Sequence, residues 1–562
     1  MKKRLVAGEW FDKRKKITYN KDTKRGERMK KLSTRKKKWI ERTVANDRSY
    51  KVILYNRFFI FALAVLLQLI GYAVLLVALV YNSKLALGLQ ILVFALEIVF
   101  VLVILNQNDR PSSKMSWLLV VMIAPVFGVP MYLFNGRGRP ARKLRRKINA
   151  AREQNGKQIK EILGETPLVP SQNRNDAVCR YLAKYGDYPV FYDGEVEYYK
   201  SGEEAFPVMI EALKKAEKFI LVEYFIIAHG YMWNEILKIL LEKAEAGVQV
   251  RVLYDDFGCM MTLPPKYERY LESLSPNLKC MTFNNVVPFF ALRMNNRDHR
   301  KILVIDGKTA FTGGFNFADE YIAKKERFGY WKDTGVKVTG NAVQSFTRIF
   351  FEMWNAFRED KEDLHEYLLP YEKTEATANT TPFRMQPYAD SPLDQLSIGE
   401  SVYVDIINRA HKYVWIFTPY LILDDYVRGA LCDAAMRGVD VRIVTPGIPD
   451  KKLTYRLTRA NYQVLMRAGV KIYEYTPGFI HAKNMLCDDE CAVVGTINLD
   501  YRSLYHHFEN ALYFAGCEAI ADVKRDCEEV FAVSKLCSAE YPKRSFFGRV
   551  LDAVLRVLET LM

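Results

Sequence analysis

Apolar positions fall into two regimes along this 562-residue chain. Between 58 and 136 they run almost unbroken. FFIFALAVLLQLIGYAVLLVALVY (58–81) holds 24 residues without a charge, and LALGLQILVFALEIVFVLVIL (85–105) carries one acid, Glu97. At 1.5 Å per residue such runs match the roughly 30 Å hydrocarbon layer of a bilayer, so each predicts a transmembrane helix. Both are too long, and begin too deep in the chain, to be a cleavable signal peptide. WLLVVMIAPVFGVPMYLFNG (117–136) differs, because Pro125, Gly128 and Pro130 interrupt a regular helix. That predicts a re-entrant or interfacial segment over 117–134.

From about 175 the apolar runs shorten and alternate with amphipathic stretches. KFILVEYFII (218–227), NEILKILLEKAEAG (234–247) and VQVRVLYDD (248–256) read as strand, helix and strand. YVWIFTPYLI (413–422), YVRGALCDAAMRG (426–438) and VDVRIVTPG (439–447) repeat the unit. In each a glycine closes the helix and a β-branched run follows at once. The expected fold is α/β: two pseudo-symmetric lobes at 171–371 and 396–540, each a mixed sheet flanked by helices, behind an N-terminal helical membrane region. A Thr-, Ala- and Pro-rich connection (372–395) joins them, and a basic linker with a connecting helix (136–170) precedes them. Residues 541–562 place apolar side chains at helical spacing, which predicts an amphipathic helix docked on the lobes or lying on a membrane surface.

Charge sharpens the membrane reading. Of the formal +17, residues 1–57 hold 21 Lys and Arg against 6 Asp and Glu, so the remainder is close to neutral. A basic arm before apolar spans suits an anionic cytoplasmic lipid surface, and near-neutral lobes disfavour nucleic acid. A second cluster of seven basic residues lies within 137–147. Positive-inside reasoning puts both in the cytoplasm, which requires an even number of crossings. The expectation is that 58–81 and 85–105 cross, joined outside by NSK (82–84), with the lobes on the cytoplasmic side of the cell membrane. Nine cysteines without a CxxC pair suggest neither a disulfide framework nor a zinc site.

The chemistry lies in a repeat. HRKILVIDGKTAFTGGFN (299–316) and HAKNMLCDDECAVVGTIN (481–498) share His-x-Lys, four residues, Asp, six residues, Gly, two residues, Asn. Read as hairpins with two-residue loops at Gly307-Lys308 and Asp489-Glu490, they set His299 opposite Asn316 and His481 opposite Asn498. Lys301 and Lys483 fall on the same sheet face as each His, with Gly313 and Gly495 leaving the approach open. Asp306 and Asp488 sit at the turn entrances, where capping the turn is their simplest role and an influence on the site the alternative. Two imidazoles can divide the work of nucleophile and general acid, while Lys301, Lys483, Asn316 and Asn498 bind a phosphodiester without a metal. Each His needs an acceptor on its other nitrogen. Asp333, following His299, and Glu509, following His481, are the candidates, each in its own lobe. His229, His506 and His507 lack the constellation and read as solvent-facing or packing residues.

The duplicated HxKxxxxD motif resembles that of the phospholipase D superfamily. NNRDHRKILVIDG, TGGFNFADEY, GFIHAKNML and VGTINLDYRSLYHHFEN are similar to the bacterial cardiolipin synthases within it, over roughly 110–562. The resemblance implies two phospholipase D-like lobes and phosphatidyl transfer between two phosphatidylglycerol molecules, giving cardiolipin and glycerol with no cofactor and no metal. His299, Lys301, Asp306, His481, Lys483 and Asp488 would be catalytic. His299 would form a phosphohistidine, and His481 would protonate the departing glycerol and then deprotonate the acceptor; the sequence symmetry by itself does not choose between the two His. A lipid hydrolase, or a transferase using another alcohol, remains open. A nuclease is disfavoured by the membrane spans, and a non-enzymatic scaffold by the absence of any degenerate motif.

Overall fold

The computed structural model describes residues 86–135 except 109, 142–164, 176–285, 296–372, 381–538 except 395, and 546–559, with isolated helical positions at 66, 70, 71, 73 and 77. The basic arm (1–57), nearly all of 58–81 and the NSK turn lie outside the described residues.

The first sheet is built from β1 (Val196–Tyr199), β2 (Phe219–Tyr224), β3 (Gln249–Asp255), β4 (Leu278–Phe283), β6 (Lys301–Ile305), β7 (Thr309–Gly313) and β9 (Gly335–Thr339). Two short strands, β5 (Arg297–Asp298) and β8 (Tyr330–Lys332), stand outside it. The second lobe contributes β10 (Arg384–Asp390), β11 (Tyr413–Phe417), β12 (Leu421–Ile422), β13 (Asp440–Pro446), β14 (Lys471–Tyr475), β15 (Gly478–Ile480), β16 (Asn484–Cys487), β17 (Cys491–Gly495), β18 (Leu499–Asp500), β19 (His507–Ala515) and β20 (Ser534–Leu536). The first sheet runs β1-β9-β7-β6-β2-β3-β4, and the second β10-β19-β17-β16-β11-β13-β14-β20. Apart from the added β20 the order is the same. In both, three parallel strands (β2, β3, β4; β11, β13, β14) continue into antiparallel ones. β2, FILVEY, is buried at every position, as a strand covered on both faces must be.

Besides a core of its own, each lobe contributes to a shared one. One cluster draws Phe219, Leu221, Phe350 and Trp354 from the first lobe and Trp415, Phe417, Phe508 and Phe514 from the second. Two expected boundaries move as a result. β10 pairs along β19, so the second sheet begins inside the stretch 372–395 read as linker. The helix Asp176–Gly186 packs Val178, Cys179 and Leu182 into second-lobe core, and Arg384 bonds Asp176 at 2.9 Å, although 171–371 was expected to be first lobe.

Before the lobes come α1 (Ala86–Leu105), α2 (Pro111–Ile123), α3 (Pro125–Asn135) and α4 (Arg142–Leu163). α1 exposes Ile91, Leu92, Phe94, Ile98 and Leu102, and Glu97 is half-buried. No complete membrane-crossing helix is established among the described residues. The segment 117–134 breaks at Ala124 (φ −140°, ψ 67°), and Pro125 starts a new helix rather than ending one. Pro130 stays inside α3. α2 and α3 fold against each other so closely that a Cβ on Gly128 would meet the Val120 carbonyl at 2.5 Å. Tyr132 packs edge-on against Trp117 and Phe100, tying the three helices together. Arg110, between α1 and α2, fixes this bundle to the second lobe. Its guanidinium bonds Glu400, Asp424 and Ser397, each at 2.9 Å, and lies 3.8 Å from the Tyr505 ring centre.

Candidate active site

Both repeat hairpins have three-residue loops, one residue longer than the spacing suggested. Ile305 pairs with Thr309 and Cys487 with Cys491, leaving 306–308 and 488–490 as turns. Asp306 and Gly307 take φ of 55° and 65°, and Asp488 and Asp489 take 55° and 60°. The register therefore shifts by one, which changes every partner. Val304 faces Ala310, Leu486 faces Ala492, and the Gly495 N–H donates to the Lys483 carbonyl at 3.3 Å. His and Asn are not cross-strand partners in either copy. The glycines serve the neighbouring strand rather than substrate approach: a Cβ at Gly313 would meet the Thr334 carbonyl at 2.4 Å, and one at Gly495 the Ala511 Cα at 2.5 Å.

Asp306 and Asp488 lie at the far end of these hairpins from His and Lys. Asp306 accepts the backbone N–H of Glu217, Lys218 and Phe219 at 2.7–2.8 Å, and Asp488 those of His411, Lys412 and Tyr413 over the same range. Each carboxylate clamps the entry of the adjacent central strand, β2 or β11. In this geometry both carboxylates are committed to backbone N–H groups, the structural role of the two open to them.

The two lobes meet through exchanged strands. β5 runs parallel to β19, with Arg297 beside His507 and Asp298 beside Phe508, and the His299 N–H donates to the Phe508 carbonyl at 2.9 Å. β8 runs parallel to β15, with Trp331 beside Phe479 and Lys332 beside Ile480, and the His481 N–H donates to the Lys332 carbonyl at 2.7 Å. One step further along each register brings His299 to Glu509 and His481 to Asp333. The expected within-lobe pairing is therefore wrong, and the acids are exchanged. His299 Nδ1 lies 2.8 and 3.0 Å from the Glu509 oxygens, and His481 Nδ1 lies 2.6 Å from Asp333 Oδ2. With Nδ1–H given to a carboxylate, each Nε2 keeps its lone pair. Glu509 is itself held by the Ser503 and Thr496 hydroxyls, and Asp333 by the Thr334 N–H at 2.8 Å.

Lys301 and Lys483 are buried beside their histidines. Lys301 Nζ donates to the His299 carbonyl at 2.6 Å, and Lys483 Nζ lies 2.9 Å from His481 Nδ1 and also bonds the His481 carbonyl. Burial, opposed by the Glu509 carboxylate, brings the Lys301 ammonium down to about 7; burial, opposed by Asp333, brings Lys483 down to about 8. Burial and then the two ammonium groups hold His299 well below the usual imidazole range. Burial and Lys483 take His481 down to about 4, although the charge and hydrogen bond of Asp333 pull it back up. Burial pushes the Asp333 carboxyl upward, but His481 and Lys483 outweigh it and hold it below the usual carboxylate range.

Asn316 and Asn498 are near but turned inward. Asn316 accepts from the Ile226 N–H at 3.0 Å and donates to the Tyr321 hydroxyl at 2.8 Å. Asn498 bonds Asp500 through its side chain, while its buried Oδ1 has no hydrogen-bond partner.

Of the two readings of His507, packing holds and solvent exposure does not, and what it packs against is the site itself. Its ring lies 5.3 Å from that of His299 at 42°, and its Nδ1 lies 3.4 Å from Glu509. Trp331 holds the same place against His481, at 5.5 Å and 42°. The signal was available, since His507 precedes Glu509 by two positions in a strand and so shares its face. Ligand atoms of His299, His507 and Glu509 lie within 4.8 Å of one another, a spacing open to a metal ion. The ammonium groups of Lys301 and Lys483 beside them oppose a cation and favour an anion. His229 packs half-buried on Tyr267, and His506 is half-buried.

Two neutral imidazoles, each steered by a buried carboxylate and flanked by an ammonium, form a site for phosphoryl transfer. The comparisons agree with that chemistry. The family described as "Cardiolipin synthase, PLD-like domain" matches residues 209–354 and 403–531, and a phospholipase D-nuclease N-terminal family matches 95–137. An uncharacterized protein of Streptococcus mutans is 43% identical over 466 residues, 82% of this chain and 99% of that protein. A phosphatidylserine synthase structure from Haemophilus influenzae shares the fold, with a TM-score of 0.53 at 16% identity, over 69% of this chain and all of its own. The cardiolipin synthases of Alkalihalophilus pseudofirmus and Geobacillus kaustophilus are 33% and 32% identical, covering 84% and 89% of this chain and 94% and 99% of theirs. At that identity and coverage, the chain belongs to the phospholipase D-like cardiolipin synthases.

Proposed function

We propose that the protein transfers the phosphatidyl group of one phosphatidylglycerol to a glycerol hydroxyl of a second, through a covalent phosphohistidine. The observation that carries this is the pair of buried imidazoles, each bonded at Nδ1 to a carboxylate from the other lobe and each beside a lysine ammonium. The resemblance to the family assigns attack to His299, in the first motif, and leaves His481 the proton transfers. In the first step His299 Nε2 attacks phosphorus and the bond to the glycerol oxygen breaks. His481 delivers a proton to that oxygen, having gained basicity once the bound phosphodiester offsets the ammonium groups. In the second step His481 takes the proton of the acceptor hydroxyl, whose oxygen attacks phosphorus as the P–N bond breaks. Lys301 and Lys483 bind the non-bridging oxygens.

The same reading puts the lobes at the cytoplasmic leaflet of a bacterial cell membrane. The exposed apolar face of α1 and the exposed Arg142, Lys143, Arg145, Arg146 and Lys147 of α4 support it. Purified protein given labelled phosphatidylglycerol without added metal should release cardiolipin and glycerol in equal amounts and yield an acid-labile adduct at His299. Phosphatidic acid as the sole lipid product would make it a hydrolase. An adduct at His481 would reverse the two roles.

A further inference from the structure

The C-terminal helix α6 (Phe546–Glu559) is docked with its polar side inward on α5 (Lys452–Arg467). At about 100° per residue, Gly548, Asp552, Leu555 and Arg556 share one side of α6. Asp552 accepts from Arg456 Nε at 2.6 Å, the Gly548 carbonyl accepts from the same guanidinium at 2.8 Å, and Arg556 donates to the Ala460 carbonyl at 2.9 Å. Leu555 is buried with Ile422 and Leu457. Phe546, Phe547 and Val550 occupy the opposite side and are 66%, 82% and 47% exposed. A helix held only by protein contacts buries its apolar stripe. Here Leu555 goes inward while Phe546, Phe547 and Val550 stay outside.

The uncovered face is not isolated. α6 also packs against α2, which exposes Met115, Met122 and Ile123, and α2 packs against α1 with its own exposed apolar side chains. In the sequence, Lys543 and Arg544 precede α6, and the run of exposed basic residues on α4 follows the α1–α3 bundle. An apolar face of this extent flanked by positive charge fits an anionic lipid surface.

We propose that α6 is a lipid-binding element: its Phe546–Phe547–Val550 face enters the acyl boundary of an anionic leaflet and fastens the second lobe, through α5, to the membrane carrying its substrate. This rests on the membrane reading above and extends it to a residue-level contact. The test replaces Phe547 with the photo-crosslinker p-benzoylphenylalanine in the full chain, reconstituted in vesicles of radiolabelled phosphatidylglycerol and phosphatidylethanolamine. Label transferred to the C-terminal peptide is expected. A protein adduct of twice the chain mass would assign the face to a second copy and overturn the proposal, as would illumination without any adduct. In a second arm, F546S/F547S/V550S should lower turnover of vesicle phosphatidylglycerol about tenfold while leaving turnover in detergent micelles unchanged. Equal losses in both would mean the helix only supports the fold. Wild-type activity in micelles reports on the catalytic reading alone, so failure of that reading is separately visible.

Discussion

Exchange of the orienting acids between the lobes makes Asp333→Asn and Glu509→Gln a discriminating pair. The Asp333 carboxylate lies 2.6 Å from His481 Nδ1 and is fully buried. At an effective dielectric constant near 20, an imidazolium at that distance gains roughly 6 kcal/mol, part of which is offset by relief of carboxylate desolvation. A net loss of about 4 kcal/mol corresponds to roughly three orders of magnitude in rate. An amide can also hold the wrong tautomer, which in serine-protease triads costs roughly four orders of magnitude. Asp333→Asn should therefore lower phosphatidylglycerol turnover about 10³- to 10⁴-fold by disabling His481, the histidine of the other lobe. A phosphatidyl ester of p-nitrophenol needs no proton on its leaving group. With it, Asp333→Asn should still give a burst of nitrophenolate equal to the enzyme present, followed by slow turnover. Glu509→Gln, which misaligns His299, should give no burst. The reverse pattern, with the burst kept by Glu509→Gln and lost by Asp333→Asn, would refute the assignment of nucleophile and acid.

Gly314→Ala should lower activity about 100-fold with a small loss of stability of about 1–3 kcal/mol, because its Cβ would lie 2.0 Å from Asp333 Oδ1; steady-state kinetics and thermal melting separate the two effects. Asp306→Ala and Asp488→Ala each orphan three backbone N–H groups and should cost about 3 kcal/mol of stability, seen as a lowered Tm, with turnover per folded molecule little changed. His481 is held at about 4 in the folded protein against about 6.5 unfolded, so the unfolded chain binds the extra proton between those values and stability falls as pH drops through that window. The contribution is about 3 kcal/mol, and a His481→Gln variant should show a flatter Tm profile from pH 7 to 4.5.

How much of this could be read beforehand depends on how far each contact reaches along the chain. The duplicated skeleton, the strand–helix–strand units and the amphipathic tail are local patterns, and the elements form where those patterns lie. The hairpin register escapes the spacing because neither role open to Asp306 and Asp488, turn cap or influence on the site, calls for a third loop residue. Their carboxylates reach the entries of β2 and β11, and that long-range clamp holds them in the left-handed conformation that lengthens the loop. Partner assignment failed for the same reason. His299 and Glu509 are 210 residues apart and His481 and Asp333 are 148 apart, joined only by strands passing between lobes. His507 was recoverable from two-residue periodicity alone.

The parallel pairing of β5 with β19 also sets a time at which the enzyme can exist. A nascent chain emerges from its amino end and folds domain by domain. β19 (His507–Ala515) supplies both the backbone that receives His299 and the carboxylate that steers it. Until that strand leaves the ribosome, a first lobe that has already folded holds His299 without its carboxylate partner. The reactive centre is thus withheld until well after the first lobe has been made, when the strand that completes it arrives.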